Sequence, residues 1–407
     1  MKKILSILLL ALFVLSSLVC TVSADDPYAY DTEYYSKFKG KNITLYVYNW
    51  GEYISDGSDD MMDVVKEFEE LTGIQVDYTT FDTNEGLYSK LQSGSAYYDV
   101  IIPSDYMISR MAEKDMLEAL DFENIPNFEK YVDDAFKNPD YDPENTYSVP
   151  YTWGTVGLIY NTKYITDPID SWEVLWDEQY SGKILMFSNS RDAFAIALQR
   201  LGYSINTEDP AEIEAAAELL KEQKNVVQAY VMDQIFDKLA EENAWIGPYY
   251  AGDYITMSET NPDLAFVFPK EGFNQFVDAM CIPKGCVNKE AAEMFINFMC
   301  EPKVSAENLT YIGYSTPISA AKELMDEEII SNPVAYPSDE ILARGESFRN
   351  LSDATNKLLD DLWIEVRIGT LTAGFWVAVA CIAVGITALC LFSMWRKKKH
   401  MDARKMK

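Results

Sequence analysis

Histidine is almost missing from this chain: the only one is His400, near the C-terminus. Its absence from everything before that position excludes His-ligated zinc sites and Ser/His triads from the body of the protein. Cysteine is scarce too, six in all, with Cys20 in an N-terminal apolar leader and Cys381 and Cys390 in a C-terminal apolar run. The remaining Cys281, Cys286 and Cys300 are odd in number and make no complete disulfide framework. A Cys281–Cys286 bridge and buried free thiols both fit their positions. Basic residues are few, 34 against 65 acidic, for a formal net charge of −31. The balance reaches −39 on residues 25–370 once the seven basic and one acidic residues of the tail and the two lysines of the leader are set aside. Such a surface repels nucleic acid and attracts cations, although solubility alone is a sufficient reason for it.

Lys2 and Lys3, the apolar stretch Ile4 to Val19 and the small-residue site Val22-Ser23-Ala24 read as a signal peptide over 1–24, with the mature chain starting near Asp25. Val19 before Cys20 argues against a lipid-anchored leader. From Ile368 to Trp395 there are 28 residues without a charge, longer than the roughly 30 Å hydrocarbon core at 1.5 Å per helical residue. This predicts a transmembrane helix over 371–395. Arg396, Lys397, Lys398 and Lys399 follow it, so the basic tail 396–407 is expected in the cytoplasm and the protein is expected to be a single-pass membrane protein with its main domain extracellular or periplasmic.

The segment between is about 345 residues, enough for two domains. Thr44 to Tyr48 reads as a buried strand, Asp59 to Leu71 has helical apolar spacing ending at Gly73, and Ile74 to Phe81 alternates as a strand. Asn84 to Gln92 reads as a helix and Tyr98 to Pro103 as a continuously apolar strand, so the class is α/β with parallel strands. Tyr147 to Asn161 carries Pro150, Gly154 and Gly157 among β-formers, as a strand passing between domains would. Helices are expected at Arg191–Leu201, Pro210–Gln223, Val231–Glu242 and Lys289–Cys300, and strands at Lys183–Phe187 and Leu264–Phe268.

Ligands of open parallel sheets sit at the carboxyl ends of strands. Those ends here read Tyr48-Asn49-Trp50-Gly51-Glu52-Tyr53, Pro103-Ser104-Asp105-Tyr106 and Phe276-Val277-Asp278, aromatics beside carboxylates and hydroxyls. Carboxylates pair with ammonium groups while ring faces cover methylenes, which suits a flexible organic cation such as a polyamine. Taken singly, Trp50, Tyr53 and Phe276 read equally as packing, and acids at strand ends as helix caps.

Six segments in order, Leu45 to Tyr53, Tyr98 to Ser104, Ser148 to Gly154, Ser171 to Gly182, Phe268 to Gly272 and Ile312 to Pro317, resemble the spermidine/putrescine-binding proteins of bacterial polyamine ABC transporters, a match running from about Lys41 to Leu362. The resemblance implies a two-lobed periplasmic-binding-protein fold of type II with a cleft between lobes, one lobe from 41–154 and 277–321 and the other from 155–276 and 323–366. It implies no catalysis, no cofactor and no metal, and as partners a polyamine, an ABC permease and the permease's ATPase. Carried over position by position, the family's wall aromatics fall on Trp50, Tyr53, Tyr106, Tyr250, Phe276 and Tyr314, its acids on Glu52, Asp192 and Asp278, and its contacting serine on Ser104. Asn189 stands where the family usually has Asp, Gly51 where it has threonine, and Tyr250 and Phe276 where tryptophans are common, departures that favour a smaller or less charged ligand. Arg349 falls at a ligand-facing glutamine, where it would repel a polycation. Other readings stay open from the residues alone: a ferric complex bound through Tyr249–Tyr250, a sugar or another organic cation on the same fold, or an extracellular carboxylate-dependent hydrolase.

Overall fold

Apolar strand residues with period two, followed by helices with one apolar stripe, must bury both against each other, and the first hundred residues do so twice. The computed structural model describes residues 26–368. The strands are β1 (Thr44–Trp50), β2 (Gln75–Phe81), β3 (Val100–Ile101), β4 (Ser148–Asn161), β5 (Ile184–Phe187), β6 (Val227–Val231), β7 (Ile246–Tyr250), β8 (Leu264–Val267), β9 (Phe273–Cys281) and β10 (Gly345–Glu346). They run in the order β2-β1-β3-β9-β4-β7-β5-β6, with β8 on β4 and β10 on β9.

This makes a two-lobed α/β molecule. Strand β1 pairs in parallel with β2 and β3, and β5 in parallel with β6 and β7. Between these groups lie β4 and β9, antiparallel from Ser148↔Cys281 to Thr155↔Gln275, so that each strand serves both halves. The first half of β4 pairs only with β9, and its second half turns to β7 and β8. The β4–β9 register shifts between Pro150 and Thr152, where a proline without an N–H breaks the ladder. Gly154 then passes so close to the Phe276 ring that a Cβ there would lie 2.9 Å from its Cζ.

The sequence reading holds for the helices Asn84–Gln92 and Pro210–Gln223, which have the bounds expected. The stretch from Asp59 is helical only from Val64, because Asp63 caps there by accepting from the Lys66 amide, and Ser58–Asp60 is a separate short turn. Val231 ends β6, so the helix expected from it begins at Gln234. The helices Asp105–Glu113 and Ala251–Thr260 and the strands β6 and β7 were not anticipated. Cys281, Cys286 and Cys300 are all free thiols, so the Cys281–Cys286 bridge is not formed.

One expectation is corrected. Among the described residues no helix is long and apolar enough to cross a membrane, so neither the transmembrane helix nor the single-pass membrane placement with a cytoplasmic C-terminus is upheld. The expected span 371–395 lies outside the described residues, as do the leader 1–24 and the tail 396–407. The described helix that precedes it, Asp353–Ile368, buries Thr355, Leu359 and Val366 and carries Asp353, Lys357, Asp360, Asp361, Glu365 and Arg367. It packs on Pro210–Gln223 and Ser190–Arg200 as an amphipathic surface helix.

Trp172 pins the second half of the molecule: its ring is fully buried, and its indole N–H donates to Gln199 Oε1 at 3.0 Å and the Gly272 carbonyl at 2.9 Å. Trp172→Ala is expected to cost about 3–5 kcal/mol, a cavity plus two orphaned acceptors. A urea midpoint unchanged from the parent protein would contradict it.

Candidate binding site

The carboxyl ends of β1, β3, β5, β6 and β7 all open onto one cavity. Every residue singled out from the sequence, Trp50, Glu52, Tyr53, Ser104, Tyr106, Asn189, Asp192, Tyr250, Phe276, Asp278 and Tyr314, lines it. So do Asn84, Asp233, Asp253, Asn274 and Phe348, which were not singled out, and Tyr249, named from the sequence only for the ferric reading. Arg349 does not: it is exposed, and its neighbour Phe348 faces the cavity instead. The arginine therefore offers no repulsion to a cation there.

At the end of β1 the Asn49 side chain accepts from the Trp50 amide at 2.9 Å and donates to the Tyr53 carbonyl at 3.4 Å, holding a turn in which Glu52 takes φ 48°. After β3, Ser104 stands at the N-cap position of Asp105–Glu113 with its hydroxyl free of any capping bond, and is clamped by Asn84, whose amide donates to Ser104 Oγ at 3.0 Å and accepts from its N–H at 3.1 Å. The backbone of Ser104 bridges that of Asp278 on β9. Asp278 accepts the Tyr53 hydroxyl at 2.7 Å on Oδ2, and its buried Oδ1 has no protein partner.

Across the cavity Asn189 caps Ser190–Arg200 by accepting the Arg191 amide at 3.0 Å. Its own amide donates to Asp192 Oδ2 at 2.7 Å, where the Tyr250 hydroxyl also donates at 3.0 Å. Asn189 thus orients an acid rather than adding one. Tyr250 ends β7 and precedes Ala251–Thr260, which carries Asp253 in its first turn. Asp105, Asp192 and Asp253 each sit in the first turn of a helix, where the positive end of the dipole favours a carboxylate.

Rings form a connected wall. Tyr53 meets Tyr314 edge-on at 4.9 Å, Tyr314 meets Phe276 at 6.5 Å, and Phe276 meets Tyr250 at 5.5 Å. Arg191, behind the wall, lies 4.4 Å from the Phe348 ring and 5.3 Å from Tyr106. The Tyr106 hydroxyl donates to Glu85 at 2.8 Å.

Among the described residues five carboxylates, Glu52, Asp192, Asp233, Asp253 and Asp278, line the cavity, and no lysine, arginine or histidine does. Burial dominates the electrostatics of Asp192, Asp233, Asp253 and Asp278. It pushes Asp278 up to about 6, against the hydroxyls of Ser104 and Tyr53. It pushes Asp192 up to about 7, and Asp253 well above the usual carboxylate range. Asp105, just behind, rises to about 8 through burial and then the charge of Asp278. Among the described residues no group of three His, Cys, Asp or Glu is placed to hold a metal ion.

A two-lobed α/β scaffold with a cleft of acids and rings at its strand ends is that of a solute-binding protein. The chain belongs to the bacterial extracellular solute-binding proteins, whose family model matches residues 63–337. It is 36% identical over 317 residues to the spermidine/putrescine-binding periplasmic protein of Salmonella typhimurium, covering 77% of this chain and 89% of that one. To the protein of the same description in Escherichia coli it is 34% identical over 331 residues, 81% of this chain and 92% of that one. The spermidine/putrescine ABC transporter substrate-binding protein of Streptococcus pneumoniae superimposes with a TM-score of 0.67 at 35% identity, covering 80% of this chain and 99% of that one.

The raised acids set a pH dependence. An unfolded carboxyl titrates near 3.9, so around pH 5 the folded protein holds protons that the unfolded chain has released. That stabilisation is complete below the unfolded value and is lost as pH rises through the folded values of about 6, about 7 and about 8. The ligand-free protein should therefore melt at least about 5 °C lower at pH 8 than at pH 5. A melting temperature that rises over that window would contradict the assignment.

Proposed function

We propose that this protein captures a polyamine, spermidine or putrescine, in the cleft between its lobes and delivers it to the permease of an ABC importer, whose ATPase drives uptake. The observation that carries this reading is the cavity's composition among the described residues: five carboxylates, no basic side chain and a wall of rings. Buried acids without counter-cations are costly until a cation arrives, and a cation with an apolar body satisfies both the acids and the rings. Asp278, with its free Oδ1, accepts one ammonium together with Ser104. Asp192, held by Asn189 and Tyr250, accepts another, and Glu52 lies exposed beside Trp50 at the rim. Phe276, Tyr314, Tyr53 and Tyr106 cover the methylenes, each worth about 0.8 kcal/mol when buried.

The lobes are assigned as 41–154 with 277–321 and 155–276 with 323–366. Gly154 pairs with Phe276 in the β4–β9 ladder, which supports placing both crossings at one level. A ligand gripped from both sides favours the closed arrangement and shifts the population toward it, giving the permease a state to recognise. No catalysis is assigned. The phenols of Tyr249 and Tyr250 donate to Asp233 and Asp192 and are held well above their usual range by burial, which disfavours the phenolates a ferric ligand needs.

Calorimetric titration with putrescine, spermidine, spermine and cadaverine tests the reading. At least one should bind with micromolar or tighter affinity, about −8 kcal/mol or stronger. Asp278→Ala should weaken it about 100-fold or more, since a desolvated charge pair loses a partner. Absence of heat with all four, from a protein that melts cooperatively, would remove the polyamine and leave the fold.

A further inference from the structure

Asp233 lines the cavity with one carboxylate oxygen held by a tyrosine and the other turned toward the facing lobe. It directly precedes the helix Gln234–Ala240, yet its side chain makes no capping hydrogen bond and its backbone is already helical, φ −55° and ψ −19°. Its Oδ1 accepts the Tyr249 hydroxyl at 3.1 Å. Its Oδ2 lies where a side chain at position 51 would begin: a Cβ on Gly51 would collide with that oxygen. Gly51 follows β1 and Asp233 follows β6, strands at nearly opposite ends of the sheet, so the two turns approach each other across the cavity that both line.

We propose that Asp233 is an ammonium-binding and specificity-determining residue of the cleft, admitted to the cavity by the missing side chain of Gly51; this rests on the polyamine reading above. A carboxylate that neither caps a helix nor pairs with a base, and that reaches the cavity wall only because its neighbour is glycine, is placed to meet a cation from the ligand. Its position along the cleft follows from its neighbours. It is bonded to Tyr249, which precedes Tyr250 at the end of β7, and it meets Gly51, which precedes Glu52. Burial and the nearby charge of Asp82 raise the Asp233 carboxyl, so its ionised form is strained until a cation joins it.

The test combines binding and stability in the full chain. Asp233→Asn should weaken binding of the preferred polyamine about tenfold while leaving the ligand-free melting temperature equal to or above that of the parent, because it removes a strained charge. Gly51→Ala should also weaken binding about tenfold, its methyl displacing the carboxylate. In the double variant Gly51→Ala/Asp233→Ala the losses should not multiply: binding should match Asp233→Ala alone, since both changes remove the same group. Parent-like affinity in Asp233→Asn, a lowered ligand-free melting temperature in that variant, or a double variant weakened about 100-fold would each overturn the proposal. A parent protein that binds none of the polyamines would instead refute the reading of the cleft on which it stands.

Discussion

The cost of burying carboxylates without bases governs this molecule's cleft. Asp105, Asp192, Asp253 and Asp278 are all buried, and the guanidinium of Arg191 acts on Asp105 and Asp192. Desolvation is the largest influence on each, which is why each is held above the ordinary carboxylate range. A stability-optimised protein would replace such groups with apolar side chains; their retention marks a surface built for a partner that brings the missing positive charge.

The rest of the architecture limits that cost. Three acids stand in the first turns of helices, whose dipoles favour them. Tyrosine hydroxyls from Tyr53, Tyr106, Tyr249 and Tyr250 donate to Asp278, Glu85, Asp233 and Asp192, and the Asn189 amide reinforces Asp192. The donors are neutral, so the negative charge is oriented rather than cancelled. The same tyrosines form part of the aromatic wall, which joins the recognition of charge to the recognition of length.

Much of the site was legible before the fold, and the reasons are local. Strand ends that read as aromatics beside acids, at Trp50 to Tyr53 and Ser104 to Tyr106, lie at the carboxyl ends of the parallel strands β1 and β3, where β/α topology leaves a crevice, whereas Phe276 to Asp278, read as a strand end, lies within the antiparallel β9. Asp233, Asp253 and Asn84 were not legible, because each sits just inside or just before a helix, where a capping or solvating role is the ordinary reading of an acid or amide. Arg349 misled in the other direction: one residue of slip exchanges an exposed arginine for the Phe348 ring that faces the cavity. The strand β6 was not anticipated, and the helix expected from Val231 took only its last residue.

The amino-acid order by itself determined the α/β class, the absence of imidazole chemistry, the excess of negative charge and the crossing character of Ser148 to Asn161, with Pro150 and Gly154 marking where the ladder shifts and where a ring must pass. These are properties of composition and period, which need no partner to be read. Only the tertiary structure decided which acids share one cavity, that Asn189 orients Asp192, and that the bare backbone at Gly51 leaves room for a carboxylate from a strand at the far side of the sheet. Those are contacts between distant segments, and a through-space clash or charge leaves no periodic trace along the chain.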